Sequence, residues 1–310
     1  MRKVRLGTVS FLLEDEPHTI AMNVDRACDY VARAAAERCD VVCLPEMVRT
    51  INVPEHAYDA EEMPGPTSER FARAARDGAI NVLANWYVRE GDAVYNQTTI
   101  FDRSGAIAGI YRKVQPTGGE ARFVRAGSEL PVIDLDFGRI AVMTCMDIYF
   151  PEIARIYAHR GAEVLFWPTV MHGPTQEGVL AQLRSRAIDN SLIVVESNMA
   201  GHPPYAPYAG RYRPGTARII DASGDVLAQT GRREGVAVAE VDLDEVRLTS
   251  WCVLFREPDH FREDLASMTR LDLYAREYAA LSQTQARNAE YFAACSDSPD
   301  TPTTESPDAP

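Results

Sequence analysis

Hydrophobic residues follow two different spacings along the first 245 residues. Short apolar runs typical of buried strands alternate with longer segments in which apolar residues recur every three to four positions, as on one face of a helix. Turn signals rich in glycine, proline, aspartate and serine separate them. The predicted strands are 4–10, 40–44, 80–87, 95–102, 106–111, 132–135, 139–144, 162–167, 191–197, 216–221, 226–230 and 236–241; the predicted helices are 19–38, a helix that opens at the turn 64–67 and runs to about 77, 151–160 and 176–190.

The order of these elements favours one α/β domain. Strands and helices intermix, and several neighbouring strands form hairpins, so layered helices over a mixed sheet are expected. We expect the domain to span 1–292, with its core at about 3–245 and a looser, partly helical extension over 246–292. The last segment, 293–310, is rich in proline, serine, threonine and acidic residues, and we expect it to be disordered.

Charge and cysteine content exclude several classes of protein. The net charge is −13, from 32 basic and 45 acidic residues with no basic run, which argues against nucleic acid or an anionic membrane as partner. No stretch is long and apolar enough to predict a transmembrane helix or a signal sequence. Six cysteines are too sparse for a disulfide scaffold, which predicts a cytoplasmic protein with reduced thiols. Neither a metal-ligand cluster nor a glycine-rich phosphate loop is evident, so no metal or organic cofactor is expected.

Cys145 stands where an apolar strand gives way to an acidic segment marked by proline. Residues 140–143 have strand character, and Pro151 and Glu152 fit the first positions of the next helix. A thiol near a helix N-terminus experiences a positive dipole and unpaired N–H groups, which favour the thiolate and could stabilise an oxyanion. The alternative is an inert cysteine of the core, since free cysteine is often buried.

Two charged residues also follow predicted strands. Glu46 comes after the buried run 41–44, and Lys113 comes two residues after the strand 106–111. Ligand groups of α/β sheets lie at the carboxyl ends of strands, although a capping acid and a solvated lysine are the ordinary alternatives. A thiol, a carboxylate and an ammonium group in one site would provide nucleophile, general base and electrophilic stabiliser for acyl transfer through a covalent intermediate.

Taken in order, these segments resemble the nitrilase superfamily, the carbon–nitrogen hydrolases with a Glu-Lys-Cys triad. The resemblance covers residues 3 to about 245. The matching segments are LPE at 44–46, YRK at 111–113, Glu120 and Phe123 leading to Gly127, CMD at 145–147, FPE at 150–152, RSRAIDN at 184–190, Asn198, and 215–224.

This resemblance implies a fold and a mechanism. The fold is a four-layer α-β-β-α sandwich that pairs with a second copy through its helical face. In the mechanism Cys145 attacks a carbonyl or nitrile carbon, Glu46 is the general base, Lys113 stabilises the tetrahedral intermediate, and Glu120 supports this network. The resulting thioester is hydrolysed. We take as candidate substrate-binding residues Met146, Tyr149, His172 and Asn198.

Two departures from the family pattern narrow the expected substrate. Gln115 stands where members often carry histidine, and Met146-Asp147 stands where true nitrilases usually have Trp-Glu. A small amide or carbamoyl amide is therefore expected, with release of ammonia or an amine, rather than a nitrile.

Other functions stay open at this point. One is an N-carbamoyl amino acid amidohydrolase, whose substrate carboxylate would need a cation. Another is a transferase that passes the acyl group to an amine. The intact triad argues against a catalytically silent binding module. Candidate cations for the first alternative are Arg49, Arg122, Arg125 and His172.

Assembly is predicted from the helices 151–160 and 176–190. Their apolar residues exceed what one sheet face is expected to cover, and the resemblance implies a dimer seam there. We therefore expect a homodimer or a larger even oligomer.

Overall fold

The computed structural model describes residues 1–12, 16–54, 59–170, 176–200, 216–231, 233–245 and 267–281. The predicted disordered tail 293–310 and His172 lie outside the described residues, as does the extension 246–292 apart from 267–281. The strands are β1 Lys3–Leu12, β2 Val41–Cys43, β3 Glu61–Glu62, β4 Asn81–Glu90, β5 Ala93–Phe101, β6 Ile107–Arg112, β7 Ile133–Leu135, β8 Gly138–Val142, β9 Val164–Pro168, β10 Ile193–Ala200, β11 Arg218–Ile220, β12 Val226–Gln229 and β13 Gly235–Asp242. The helices are α1 Ile20–Ala36, α2 Pro66–Gly78, α3 Pro151–His159, α4 Gln176–Ile188 and a helix over 271–281, here α5.

The strands form one mixed sheet with a parallel centre. Its order is β6-β5-β4-β2-β1-β10-β9-β8-β7, and β13 adds antiparallel to β1. Neighbouring strands are parallel in the central part of this order, β4-β2-β1-β10-β9-β8. The strands β4-β5-β6 and β7-β8 are joined as antiparallel hairpins. Consequently β2, β6, β8 and β9 all end at the same edge of the sheet, and the segments that follow them meet there.

Three apolar layers show that this sheet folds into a sandwich. The first lies between α1, α2 and one half of the sheet, the second between the two halves, and the third between the other half and α3 and α4. The predicted α-β-β-α sandwich with mixed strands is thereby confirmed. Large buried residues of the three layers are Tyr30, Phe71 and Trp86; Leu6, Leu83 and Phe166; and Tyr157, Trp167 and Leu183.

The chain differs locally from the predicted elements at two places. The short strand β3 was not predicted. Strand β8 ends at Val142 instead of Thr144, and a 3-10 turn, Cys145–Tyr149, separates it from α3. This turn forms because the Asp147 carboxylate accepts the backbone N–H of Thr144 at 2.7 Å, which removes that N–H from the sheet.

Candidate active site

Cys145 lies on a sharp elbow between β8 and its 3-10 turn. Its φ is 47°, in the left-handed region that side chains other than glycine seldom adopt. Strain of this kind persists only where surrounding contacts enforce it, and it is concentrated at functional sites. One such contact is a hydrogen bond that the indole Nε1 of Trp167 donates to the Cys145 carbonyl at 3.0 Å. Part of the Cys145 residue is exposed to solvent at this elbow, whereas its thiol is buried.

Asp147 ties this elbow to the strand that carries the lysine. Besides the N–H of Thr144, its carboxylate accepts the hydroxyl of Tyr111 at 2.6 Å and the backbone N–H of Gln115 at 2.9 Å. Burial raises the pKa of Asp147 to about 7, against the opposing effect of these hydrogen bonds. Because Tyr111 and Gln115 flank Lys113, Asp147 fixes the lysine relative to the cysteine.

Lys113 is sealed between two carboxylates. Its Nζ donates to Glu46 Oε1 at 2.9 Å and to Glu120 Oε2 at 2.6 Å, and all three side chains are buried. Burial alone would lower the pKa of Lys113, but the Glu46 and Glu120 carboxylates raise it well above its usual range. For Glu120, burial raises the pKa, yet Lys113 and the hydrogen bonds to the carboxylate lower it overall. The lysine therefore remains an ammonium ion.

The thiol of Cys145 contacts this cluster. Burial raises its pKa and the neighbouring Glu46 carboxylate raises it further, whereas Lys113 and the Thr169 hydroxyl lower it. The net pKa is above that of a free thiol. The thiolate expected from the helix N-terminus is therefore wrong for the resting protein, because α3 begins only at Pro151 and burial dominates. The side chain rests as a thiol, and a base must remove its proton.

Two asparagines in the site were missed by the sequence analysis. Asn96 on β5 donates from Nδ2 to Glu46 Oε1 at 2.9 Å and to Glu120 Oε1 at 2.8 Å. Asn85 on β4 donates to Asn96 Oδ1 at 2.8 Å. The only sequence signal was that polar residues occupy strands otherwise rich in apolar ones.

The candidate substrate-binding residues have different surroundings. Met146 is half-buried beside Cys145, and Tyr149 is 52% exposed on the same turn. Asn198 is buried on β10, where its Nδ2 donates to Glu196 Oε1 at 3.3 Å. His172 lies outside the described residues.

Of the candidate cations for a carbamoyl amino acid, one is already paired with carboxylates. Arg49 is buried and forms ion pairs with Asp59 and Glu61, so its charge is already neutralised. Arg122 and Arg125 are exposed on the segment after Glu120.

The described ranges contain neither a metal-ligand cluster nor a helix suited to span a membrane. No group of three or more histidine, cysteine, aspartate or glutamate side chains there could hold a metal ion. No helix among the same residues is long and apolar enough to cross a membrane.

Comparison with known proteins places this chain in a family. The carbon-nitrogen hydrolase family model matches residues 16–250. The omega-amidase of Homo sapiens is 27% identical over 271 residues, which cover 82% of this chain and 92% of that protein. The 2-oxoglutaramate amidase of Bacillus subtilis is 32% identical over 231 residues, which cover 72% of this chain and 85% of the relative.

Solved structures share the fold. An amidase from Nesterenkonia sp. superposes with a TM-score of 0.71 at 22% identity, covering 88% of this chain and 95% of the amidase. Saccharomyces cerevisiae Nit3, a nitrilase superfamily member, gives a TM-score of 0.69 at 24% identity, covering 81% and 96%. The predicted superfamily, its amidase-like character and the predicted enzyme class are confirmed. The chain belongs to the carbon-nitrogen hydrolase family and is an enzyme that hydrolyses carbon–nitrogen bonds other than peptide bonds.

Proposed function

We propose that this enzyme hydrolyses a small amide through a thioester on Cys145, with Glu46, Lys113 and Glu120 as its catalytic partners. The observation that carries the proposal is the buried ammonium of Lys113, held at 2.9 and 2.6 Å from two carboxylates beside a thiol on a strained elbow. Small-amide hydrolysis through a cysteine is also the class of reaction that the amidase relatives support.

The first half-reaction forms the thioester. Glu46 takes the proton of the thiol while Sγ of Cys145 bonds to the amide carbon, so the negative charge moves to the carbonyl oxygen. Lys113 stabilises that oxyanion without giving up its own proton. Collapse of the intermediate breaks the carbon–nitrogen bond, and Glu46 returns the proton to the departing ammonia or amine.

The second half-reaction uses water. Glu46 removes one proton from the water as its oxygen attacks the thioester carbon, and Lys113 again stabilises the oxyanion. Cleavage of the carbon–sulfur bond, with return of that proton from Glu46 to the sulfur, releases a carboxylic acid and restores the thiol. Glu120 keeps Lys113 in position throughout, since its carboxylate accepts the ammonium group and the Thr117 N–H at 2.9 Å.

Trapping the intermediate tests this proposal and names the acyl group. The protein is incubated with small amides, with and without a second carboxylate, and with matching carbamoyl compounds and nitriles, and the Cys145 peptide is analysed by mass spectrometry. We expect acylation of Cys145 by an amide and slower turnover of the matching nitrile. Absence of any adduct during turnover, or faster turnover of the nitrile, contradicts it. Added hydroxylamine distinguishes acyl transfer to an amine from hydrolysis.

We propose further that the enzyme acts as a homodimer or a larger even oligomer. The apolar excess predicted on α3 and α4 is wrong for most of their residues, because the core of the monomer already covers them; Ile156 of α3 stays 37% exposed. The larger uncovered surface is on α5, where Leu271, Tyr274, Tyr278 and Leu281 are each at least half exposed. Between α5 and α3 lies a groove of about 570 Å³ that a second subunit could fill.

Sedimentation with parallel assays across dilution tests this assembly. Leu271→Asp is expected to shift the protein to monomers and to lower activity, because a buried charge at a seam is costly. The matched control is Leu227→Asp, since Leu227 is also exposed but lies on β12. A fully active monomer contradicts the proposal.

We also propose that the enzyme works in the reducing cytoplasm. This proposal is supported by the free thiols of Cys28, Cys39, Cys43 and Cys145.

A further inference from the structure

Asn96 contacts Glu46, Glu120 and Lys113. Its side-chain Nδ2 donates to both Glu46 and Glu120, and its backbone carbonyl accepts the N–H of Lys113 at 2.9 Å. The side chain is buried, with 1% of the residue exposed. An amide NH₂ group has two protons, so one asparagine can satisfy two acceptors at once.

A second asparagine fixes the direction of this amide. Asn85 Nδ2 donates to Asn96 Oδ1 at 2.8 Å, which leaves only the NH₂ group of Asn96 to face the carboxylates. The reverse orientation would turn a carbonyl oxygen toward two anions. Asn85 is itself held, because its Oδ1 accepts the N–H of Met47 at 2.8 Å. Met47 follows Glu46 and has a φ of 52°, so the same chain of bonds secures a strained backbone beside the base.

These bonds assign different tasks to the two oxygens of Glu46. Oε1 accepts both Lys113 Nζ and Asn96 Nδ2 and is therefore saturated. Oε2 accepts the backbone N–H of Val170 over a longer distance, 3.2 Å, and a side-chain hydrogen bond also joins Glu46 to Cys145. A proton arriving from the thiol can thus bind Oε2 without displacing a donor.

Resting on the proposed function, we infer that Asn96 is a positioning residue that holds Glu46 and Glu120 as two separate carboxylates and directs the catalytic proton to Oε2 of Glu46. Asn85 supports it by fixing its amide. A neutral donor is suited to this task, because a second cation would stabilise Glu46 as an anion and weaken it as a base. The titratable groups that surround the amide are Glu46, Glu120, Lys113 and Tyr87, with Cys145 beyond Glu46.

The test compares substitutions of Asn96 with a matched substitution elsewhere. Asn96→Ala is expected to lower kcat roughly 10- to 100-fold, the range for loss of hydrogen bonds to charged groups, with little change in KM. Asn96→Ser keeps a single donor and is expected to retain more activity than Asn96→Ala.

Asn96→Asp adds a third carboxylate, which favours protonation of Glu46. In the dependence of kcat/KM on pH, the acid limb should therefore move to higher pH by about one unit or more. The control is Asn81→Asp. Asn81 is also buried in the sheet and donates to a carboxylate, that of Asp136 at 2.8 Å. It is the first residue of β4 and pairs with Val41 at the start of β2, whereas Glu46 follows the end of β2.

A merely structural asparagine would give a different pattern. Asn81→Asp is expected to lower the melting temperature without moving the acid limb. An unchanged kcat in Asn96→Ala, or an acid limb in Asn96→Asp that matches the Asn81→Asp control, overturns the inference. If the Asn96 variants do not fold, Asn85→Ser takes their place: the expected result is a smaller loss of kcat at unchanged KM, and wild-type kcat overturns the inference. Cys145→Ala separates the two proposals, since its retained turnover would remove the covalent mechanism itself.

Discussion

Two buried glutamates in this protein have similar partners and opposite pKa shifts. Glu120 accepts from Lys113, Asn96 and the Thr117 N–H, and its pKa is lowered because these interactions outweigh its burial. Glu196 is fully buried and accepts from Arg218 at 2.7 Å and from Asn198 at 3.3 Å. Burial dominates there and raises the pKa of Glu196 to about 7.

The difference shows that a basic neighbour alone does not keep a buried carboxylate ionised. The number and length of the donated hydrogen bonds decide whether burial is offset. In the Glu120 region the donors keep the Glu120 carboxylate charged, and Lys113 stays protonated at neutral pH. In the Glu196 region a carboxylate near half-protonation is compatible with a structural role.

The largest effect is expected from removing the proposed nucleophile, Cys145, beside the Glu120 region. Cys145→Ala should reduce turnover by more than about 100-fold while the protein stays folded, because general acid–base help alone supplies roughly that much. Amide hydrolysis assays with circular dichroism check both parts. Cys43→Ala is the control, since Cys43 is fully buried inside β2. A Cys145→Ala variant that keeps more than about a hundredth of the rate contradicts the mechanism.

The next largest effects are expected from replacing the basic residue of each region, Lys113 beside Glu120 and Arg218 beside Glu196. Lys113→Met should lower turnover by roughly 10²–10³-fold, the cost of losing an oxyanion stabiliser. Arg218→Met should instead lower the free energy of unfolding by about 3–5 kcal/mol, because Glu196 loses its cation, with turnover per folded molecule unchanged. Denaturant titration and assays of both variants measure this. Near-normal turnover in Lys113→Met would make Lys113 a structural residue only.

A third effect concerns how stability depends on pH. A carboxylate whose pKa rises on folding contributes stability that is present below its unfolded pKa and lost as pH rises through the folded value. The pKa of Glu196 rises from 4.5 to about 7, so wild-type stability relative to Glu196→Gln should fall by about 3 kcal/mol between pH 4.5 and 7.

Glu120 should show the reverse sign, since its pKa is lowered on folding. Wild-type stability relative to Glu120→Gln should be greatest above the unfolded pKa and decline as pH falls through the folded one. Denaturant unfolding at several pH values measures both differences. If the stability differences from Glu196→Gln and from Glu120→Gln change in the same direction with pH, the contrast between the Glu120 and Glu196 regions is wrong.

The smallest effect tests the weakest donor to Glu120. The Tyr87 hydroxyl lies 3.5 Å from Glu120 Oε1, at the limit of a hydrogen bond. Tyr87→Phe should therefore lower kcat only about two- to threefold, near the lower end for a neutral hydrogen bond. A loss as large as that of Asn96→Ala would mean that Tyr87 contributes far more than its geometry suggests.

Much of the fold could be predicted because the apolar spacing is clear. Helices α1 to α4 and twelve of the thirteen strands of the described residues correspond to predicted segments; β3 has only two residues, too few for a periodic pattern. Glu46, Lys113 and Cys145 could be proposed together because each follows a strand that ends at one edge of the sheet.

The remaining features of the site depend on tertiary structure. Asn85 and Asn96 meet the carboxylates only after β4 and β5 pair in register, and alternation along a strand does not reveal which polar residue faces the interior. The pKa of Cys145 was expected to fall and instead rises, because burial depends on packing that no local motif encodes. The left-handed conformation of Cys145 likewise results from contacts with Trp167 and Asp147.

Backbone N–H groups hold all three carboxylates around the cysteine. Val170 donates to Glu46, Thr117 to Glu120 and Gln115 to Asp147. A main-chain donor is supplied by every residue type except proline. The side chains at 115 and 170 can therefore be replaced while the backbone hydrogen bonds to Asp147 and Glu46 remain. The loops that border the thiol can thus change in sequence to accept new amides while these carboxylates stay in position.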